Sequence, residues 1–105
     1  MEIFRLTKSF PKEETFTLTD QMRRSSRSVA ANIAEAYRKR QYPKNFVSKL
    51  SDSDAETSET QVWLEFARDC NYISAQTCEE MLVKYEEVGR MLGGMIANPG
   101  RFLPK

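Results

Sequence analysis

LTDQMRRSSRSVAANIAEAYRKR, residues 18–40, is the longest uninterrupted helix signal in the chain. A helix turns about 100° per residue. Leu18, Met22, Ser25, Val29, Ile33 and Ala36 therefore share one face, at spacings of 4, 3, 4, 4 and 3. That is the stripe of a helix packed in a bundle, with Ile33 at its centre and Tyr37 closing it. Ser25, Ser26, Ala30 and Ala31 keep the helix slender, so a neighbour can approach closely. Away from the stripe, Arg23, Arg24, Arg27 and Arg38 fall within about 100° of one another.

Thr17, or alternatively Thr19, offers a cap near Leu18. Tyr42-Pro43 ends the helix, because the residue before a proline avoids helical geometry. Pro43 then suits the first turn of a third helix, over 43–70. Its apolar residues are Phe46, Val47, Leu50, Trp63, Leu64, Phe66 and Ala67. Between them runs SDSDAETSET, residues 51–60, polar enough to pass for a loop. One helix that uses Ala55 and Thr57 as small core residues is more economical than a loop flanked by two apolar turns. Trp63, Phe66 and Tyr72 read as core, or else as interface anchors.

Asn71-Tyr72-Ile73 makes the next turn, and Ser74 caps the last helix, over 74–97. Cys78, Met81 or Leu82, Tyr85, Val88, Leu92 and Met95 repeat at threes and fours. Gly93-Gly94 weakens its end, Asn98-Pro99-Gly100 stops it, and 98–105 is a tail. On the other side, residues 1–9 read as a short helix carrying Ile3, Phe4 and Leu6. Pro11 breaks it, and Glu13-Glu14 can open one short turn. No strand alternation or repeat intervenes. The expected fold is all-α: a single domain over 1–105, an antiparallel up-and-down four-helix bundle with a shortened first helix and its second helix over 18–42.

A chain of 105 residues, 40% hydrophobic and 30% charged, has ordinary globular composition. It contains no apolar run near the roughly 18 residues that span a bilayer. Its start does not read as a signal peptide, so a cytoplasmic location without membrane association is expected. Cys70 and Cys78 are too few for a disulfide framework and read as free thiols. Histidine is absent, which removes the commonest general base and metal ligand. With no nucleophile–base pair, no glycine-rich loop and no Glu-x-x-His pair, the sequence implies no enzyme, no cofactor and no metal.

The charge is unevenly placed. Residues 1–50 hold 11 Lys/Arg against 5 Asp/Glu, a net of +6; residues 51–105 hold 5 against 10, a net of −5. Such a split suits an anionic partner or complementary surfaces in self-assembly. Arg23, Arg24, Arg27 and Arg38, extended by Lys39, Arg40 and Lys44, form a strip able to meet phosphates of RNA or DNA. The same strip serves equally as a solvated face or in salt bridges between subunits. No aromatic residues interleave with it, so base stacking is not suggested. Gln21, Ser28, Asn32 and Glu35 form a polar seam along one side of the helix, and Glu56 and Glu59 make a second seam on the third. Hydrogen bonding between helices is the better reading of that seam, and a hard cation the lesser one.

The run FPKEE at 10–14, with Gln21, Arg23, Arg24, Ser28 and the segment Asn32-Ile33-Ala34-Glu35, carries a resemblance. Glu59-Thr60 and Tyr72-Ile73 add to it. The chain resembles, over residues 4–96, the bacterial four helix bundle protein family, whose members are often encoded in intervening sequences of large-subunit ribosomal RNA genes. It departs from the family pattern at Ser25 for alanine, Ala30 for proline, Ala36 for glycine and Asn71 for glycine. The resemblance implies a four-helix bundle that assembles with itself, as a homopentamer. It also implies that the first helix is usually longer than here. A related group, the accessory proteins of diversity-generating retroelements, binds RNA and a reverse transcriptase through a basic surface. Two functions stay open: a self-associating scaffold that binds RNA or DNA through the strip, and a protein-interaction scaffold whose strip is used in subunit contacts.

Overall fold

Four α-helices follow one another in the computed structural model, which describes residues 2–104: α1 (Glu2–Thr7), α2 (Leu18–Arg38), α3 (Pro43–Asp69) and α4 (Ala75–Ala97). Single 3-10 turns lie at Lys12–Glu14 and Pro99–Arg101, and no strand occurs among the described residues. The fold is an all-α four-helix bundle, elongated at 49 × 24 × 17 Å. α2 and α4 both pack along α3 and not along each other, while α1 lies against α2.

Local chemistry sets most of the helix ends. Ser74 caps α4: its Oγ accepts the Thr77 N–H at 3.0 Å. α3 closes with a Schellman turn, in which the Tyr72 N–H reaches the Ala67 carbonyl and the Asn71 N–H the Arg68 carbonyl, both at 2.9 Å. Asn71 takes the left-handed conformation this requires, at φ 62°. The glycine that the resemblance implies at this position would adopt it freely, and asparagine is among the side chains that tolerate the conformation best. Thr17 behaves differently from its expected capping role. Its hydroxyl donates to the Glu14 carboxylate, and α2 starts without a side-chain cap. α2 also ends at Arg38, short of Tyr42. The Lys39 N–H is shared between the Glu35 and Ala36 carbonyls at 3.1 and 3.0 Å, and residues 39–42 turn into Pro43.

The core lies in two apolar clusters. Ile3, Phe10, Leu18, Met22, Leu64, Ala67, Ile73, Cys78 and Met81 fill one; Ala36, Phe46, Leu50 and Leu92 fill the other. Burying a side chain such as Phe46 or Leu64 completely contributes about 1.5–3 kcal/mol. Ser25, Ser53, Thr57 and Thr60 are buried polar residues of the α2–α3 packing. The Ser53 hydroxyl donates to the Val29 carbonyl across the two helices at 2.8 Å, and Ser25 and Thr60 share a 2.9 Å hydrogen bond. Thr57 bonds back to the Ser53 carbonyl at 2.9 Å. These small side chains let α3 run close to α2 while every one of the four hydroxyls is satisfied. Residues 51–60 are therefore helical throughout, as expected, with Thr57 inside. Ala55, however, is exposed, and Ser53 and Thr60 take the core positions instead.

Three residues of the expected core stand outside it. Ile33 is 36% exposed, Phe66 54% and Tyr37 63%. Phe66 lies on the outer side of α3, tilted against Trp63 at 5.6 Å between ring centroids. Ile33 borders the slot between α2 and α4, of which α1 fills only one end. α1 spans about 9 Å and α2 about 31 Å at 1.5 Å per residue. Beyond the α1 end, the slot is open as a groove of about 310 Å³ lined by Val29, Ala30, Ile33, Tyr85 and Val88 among others.

Candidate functional site

The basic residues of α2 share a broad face, but the fold hands them to different neighbours. Arg24 turns to α3, where its Nη2 lies 2.9 Å from Glu59 Oε1 and its Nη1 3.7 Å from Glu56 Oε2. It also donates to Gln21 Oε1 at 3.2 Å. Glu59 in turn accepts the Trp63 indole N–H at 3.2 Å. Arg24, Gln21, Glu56 and Glu59 thus make an internal α2–α3 network. Half-exposed pairs of this kind contribute about 0–1 kcal/mol each, so register is their main role.

Arg23 turns the other way, to α1. Its Nε donates to Thr7 Oγ1 at 2.8 Å, and its guanidinium lies 4.4 Å from the centre of the Phe4 ring. The Thr7 hydroxyl is buried and bonds back to the Ile3 carbonyl at 2.9 Å, so the guanidinium hangs from a fixed acceptor. Lys8 Nζ lies over the same ring at 5.1 Å. Arg27 joins Phe4, Arg23 and Ser26 in lining a hollow of about 190 Å³. Lys8, Arg23 and Arg27 make no ion pair among the described residues.

The distal basic residues are separate from this group. Arg38 and Lys44 are exposed, and neither has an ion pair among the described residues. Arg40 folds back on its own helix end, 3.7 Å from the Tyr37 ring and donating to the Tyr37 carbonyl at 3.1 Å. Lys39 lies 6.0 Å over Tyr42. The polar seam is likewise divided. Glu35 pairs with Lys49 of α3 at 3.6 Å, and Ser28 and Asn32 are half-buried between the two paired ends.

Two coupled titration shifts meet at the Lys12–Glu14 turn. Hydrogen bonds from Thr17 and then Tyr72 hold the Glu14 carboxyl below the ordinary carboxylate value. The bond to Glu14, followed by desolvation, pushes the Tyr72 phenol up to about 12. Burial raises the Cys78 thiol, which sits against the Leu64 carbonyl at 3.5 Å, whereas Cys70 is exposed. No three His, Cys, Asp or Glu side chains among the described residues converge as metal ligands would, and no helix among them is long and apolar enough to cross a membrane.

The family model of the 23S rRNA-intervening sequence proteins matches residues 1–94. The chain belongs to that family. A solved structure shares its fold: a protein of unknown function from the S23 ribosomal protein family of Bacteroides thetaiotaomicron, with a TM-score of 0.80 and 27% identity. The match covers 90% of this chain and 85% of that one. No curated protein matches the chain. Membership in the 23S rRNA-intervening sequence family agrees with the motif residues at the α1–α2 connection and along α2. Lys8 and Phe4 carry no site signal in the sequence. Their i, i+4 spacing is visible there, but their meeting with Arg23 across 15 or more residues depends on where α1 docks.

Proposed function

We propose that this 23S rRNA-intervening sequence protein is a non-enzymatic scaffold that associates with itself and works in the cytoplasm. The observation that supports it is the open groove between α2 and α4. Two helices stand apart with Val29, Ile33, Tyr85 and Val88 between them. A second copy of the chain is the occupant that fits, because the basic first half and acidic second half attract between copies. The family resemblance makes the closed form a homopentamer, and rings arise when such contacts are head to tail. Light scattering on a sizing column tests the reading, since a scaffold elutes at a multiple of 12.2 kDa. A monomer at micromolar concentration ends it.

A second activity, nucleic-acid binding, is favoured by a specific observation. Arg24 is neutralised by Glu56 and Glu59, but Arg23, Arg27, Arg38 and Lys44 have no carboxylate partner among the described residues. Such cations bind RNA or DNA phosphates without regard to sequence, and a ring presents them several times over. RNA titration at two salt concentrations tests this: affinity falls as salt rises. Wild-type protein that ignores RNA at low salt assigns the strip to subunit contacts instead.

A further inference from the structure

Phe4 is the centre of an arrangement that α2 alone does not contain. Lys8, one helical turn further along, reaches back over its ring, and Arg23 crosses from α2 to the same ring. Arg27, one turn beyond Arg23, completes the wall of the hollow with Ser26. Arg23 and Arg27 therefore line about 190 Å³ of space, Lys8 lies over the same Phe4 ring, and none of the three has a carboxylate partner among the described residues. Arg23 and Arg27 stand one turn apart on α2, and an anion in the hollow that both line offsets their repulsion.

The geometry favours one kind of anion. Arg23 uses only its Nε on Thr7, so both terminal amino groups of its guanidinium have no protein acceptor among the described residues. A planar fork offering two N–H groups side by side matches two oxygens of a phosphate. Lys8 supplies a point charge from α1, and Arg27 a second guanidinium from α2. The ring of Phe4 is already covered by Arg23 and Lys8, so it holds the cations and does not stack a base. We propose that Arg23 and Arg27, which line the hollow beside Phe4, form a site for a single phosphate group, with Lys8 over the same ring adding positive charge. This rests on the nucleic-acid reading above only for the source of that phosphate, which is either a backbone phosphodiester or a free phosphate ion.

Two titrations on the full chain separate the possibilities. In the first, a short oligouridylate is added to wild type and to Lys8→Gln, Arg27→Gln and Arg90→Gln. Arg90 is exposed on α4 and serves as a charge-matched control. Lys8→Gln and Arg27→Gln are expected to weaken binding several-fold more than Arg90→Gln, and since one phosphate is held, each lowers the log–log salt slope by at most about 0.7. In the second, inorganic phosphate is added while the arginine Nε–H resonances are followed, and Arg23 and Arg27 are expected to move. Circular dichroism confirms that each variant is folded. If wild type binds oligouridylate and all three variants lose equally, the site is wrong while general nucleic-acid binding stands. If oligouridylate does not bind but phosphate moves Arg23 and Arg27, the site holds free phosphate and the nucleic-acid reading falls. If neither ligand has an effect, the proposal is overturned.

Discussion

The Tyr72 hydroxyl donates a 2.8 Å hydrogen bond to Glu14 Oε2, tying the turn before α2 to the corner between α3 and α4. The two residues are 58 apart in sequence, and the contact is reinforced where Phe10 meets the Tyr72 ring at 5.4 Å. This latch fixes the connection that positions α1. Its pH dependence follows from both partners. The Glu14 carboxyl is depressed, so its contribution is present above the ordinary carboxylate value and lost as pH falls through the folded value. The Tyr72 phenol is raised to about 12, so its contribution is complete below the ordinary value of 10.0 and lost as pH rises toward 12. Alkaline titration followed by tyrosinate absorbance is expected to show late-ionising tyrosines, half-buried Tyr85 among them, and Tyr72→Phe is expected to reduce that late component. An unchanged late component in Tyr72→Phe would show that the latch is not made in solution.

The hydroxyl belt between α2 and α3 sets their closeness. Ser53→Leu introduces a large side chain where Ser53 reaches the Val29 carbonyl, and overpacking of this kind costs about 1–3 kcal/mol. Ser53→Ala loses a single hydrogen bond, about 0.5–1.5 kcal/mol. Urea denaturation is expected to rank wild type, Ser53→Ala and Ser53→Leu in that order. Equal midpoints for the two variants would mean the helices are loosely apposed there.

Spacing along α2 is enough to make the bundle legible. Leu18, Met22, Ser25, Val29 and Ala36 are all buried on the side that periodicity assigns them. Ile33 has the same periodicity but lines the open groove between α2 and α4 and is exposed. Spacing within one helix says nothing about how long its neighbour is. The core of α3 is harder to read, since Ser53, Thr57 and Thr60 are polar residues buried by virtue of small size and local hydrogen bonds. For the basic strip, angle alone places Arg23 and Arg24 on one broad face. Their division between Thr7 and Glu59 depends on which helix flanks each side, a tertiary fact. The Phe4 cluster depends on the same docking of α1.

Asn71 separates backbone strain from side-chain contacts. It stands exposed at φ 62°, and a left-handed conformation costs a residue with a Cβ roughly 1–2 kcal/mol, least for asparagine. Asn71→Ala is expected to lower stability by about 1 kcal/mol. Asn71→Gly, which restores the family residue, is expected to equal or exceed wild type. Thermal melts of the three proteins check the order. A melt in which alanine matches glycine would mean the Schellman turn at Ala67–Tyr72 opens in solution.

Ile33 decides whether the groove between α2 and α4 is a contact surface. Within one chain it is a weak core residue. Full burial of such a side chain contributes about 1.5–3 kcal/mol, and over a third of it is exposed at 36%. Ile33→Ala is therefore expected to cost about 1 kcal/mol in a chain studied below its association concentration. Leu64 is fully buried, and Leu64→Ala is expected to cost about 2–5 kcal/mol at any concentration. The two variants should behave oppositely in assembly. If a second copy covers the groove, Ile33→Glu places a charge in a desolvated contact and the oligomer falls to 12.2 kDa while the helical signal persists. Leu64→Ala keeps the oligomer mass as long as it remains folded. Sedimentation of wild type and both variants at matched concentration gives the answer. An oligomer that survives Ile33→Glu unchanged would move the subunit contact away from this groove, and would leave the outer face of α3, with Val62 and Phe66 exposed, as the next surface to test.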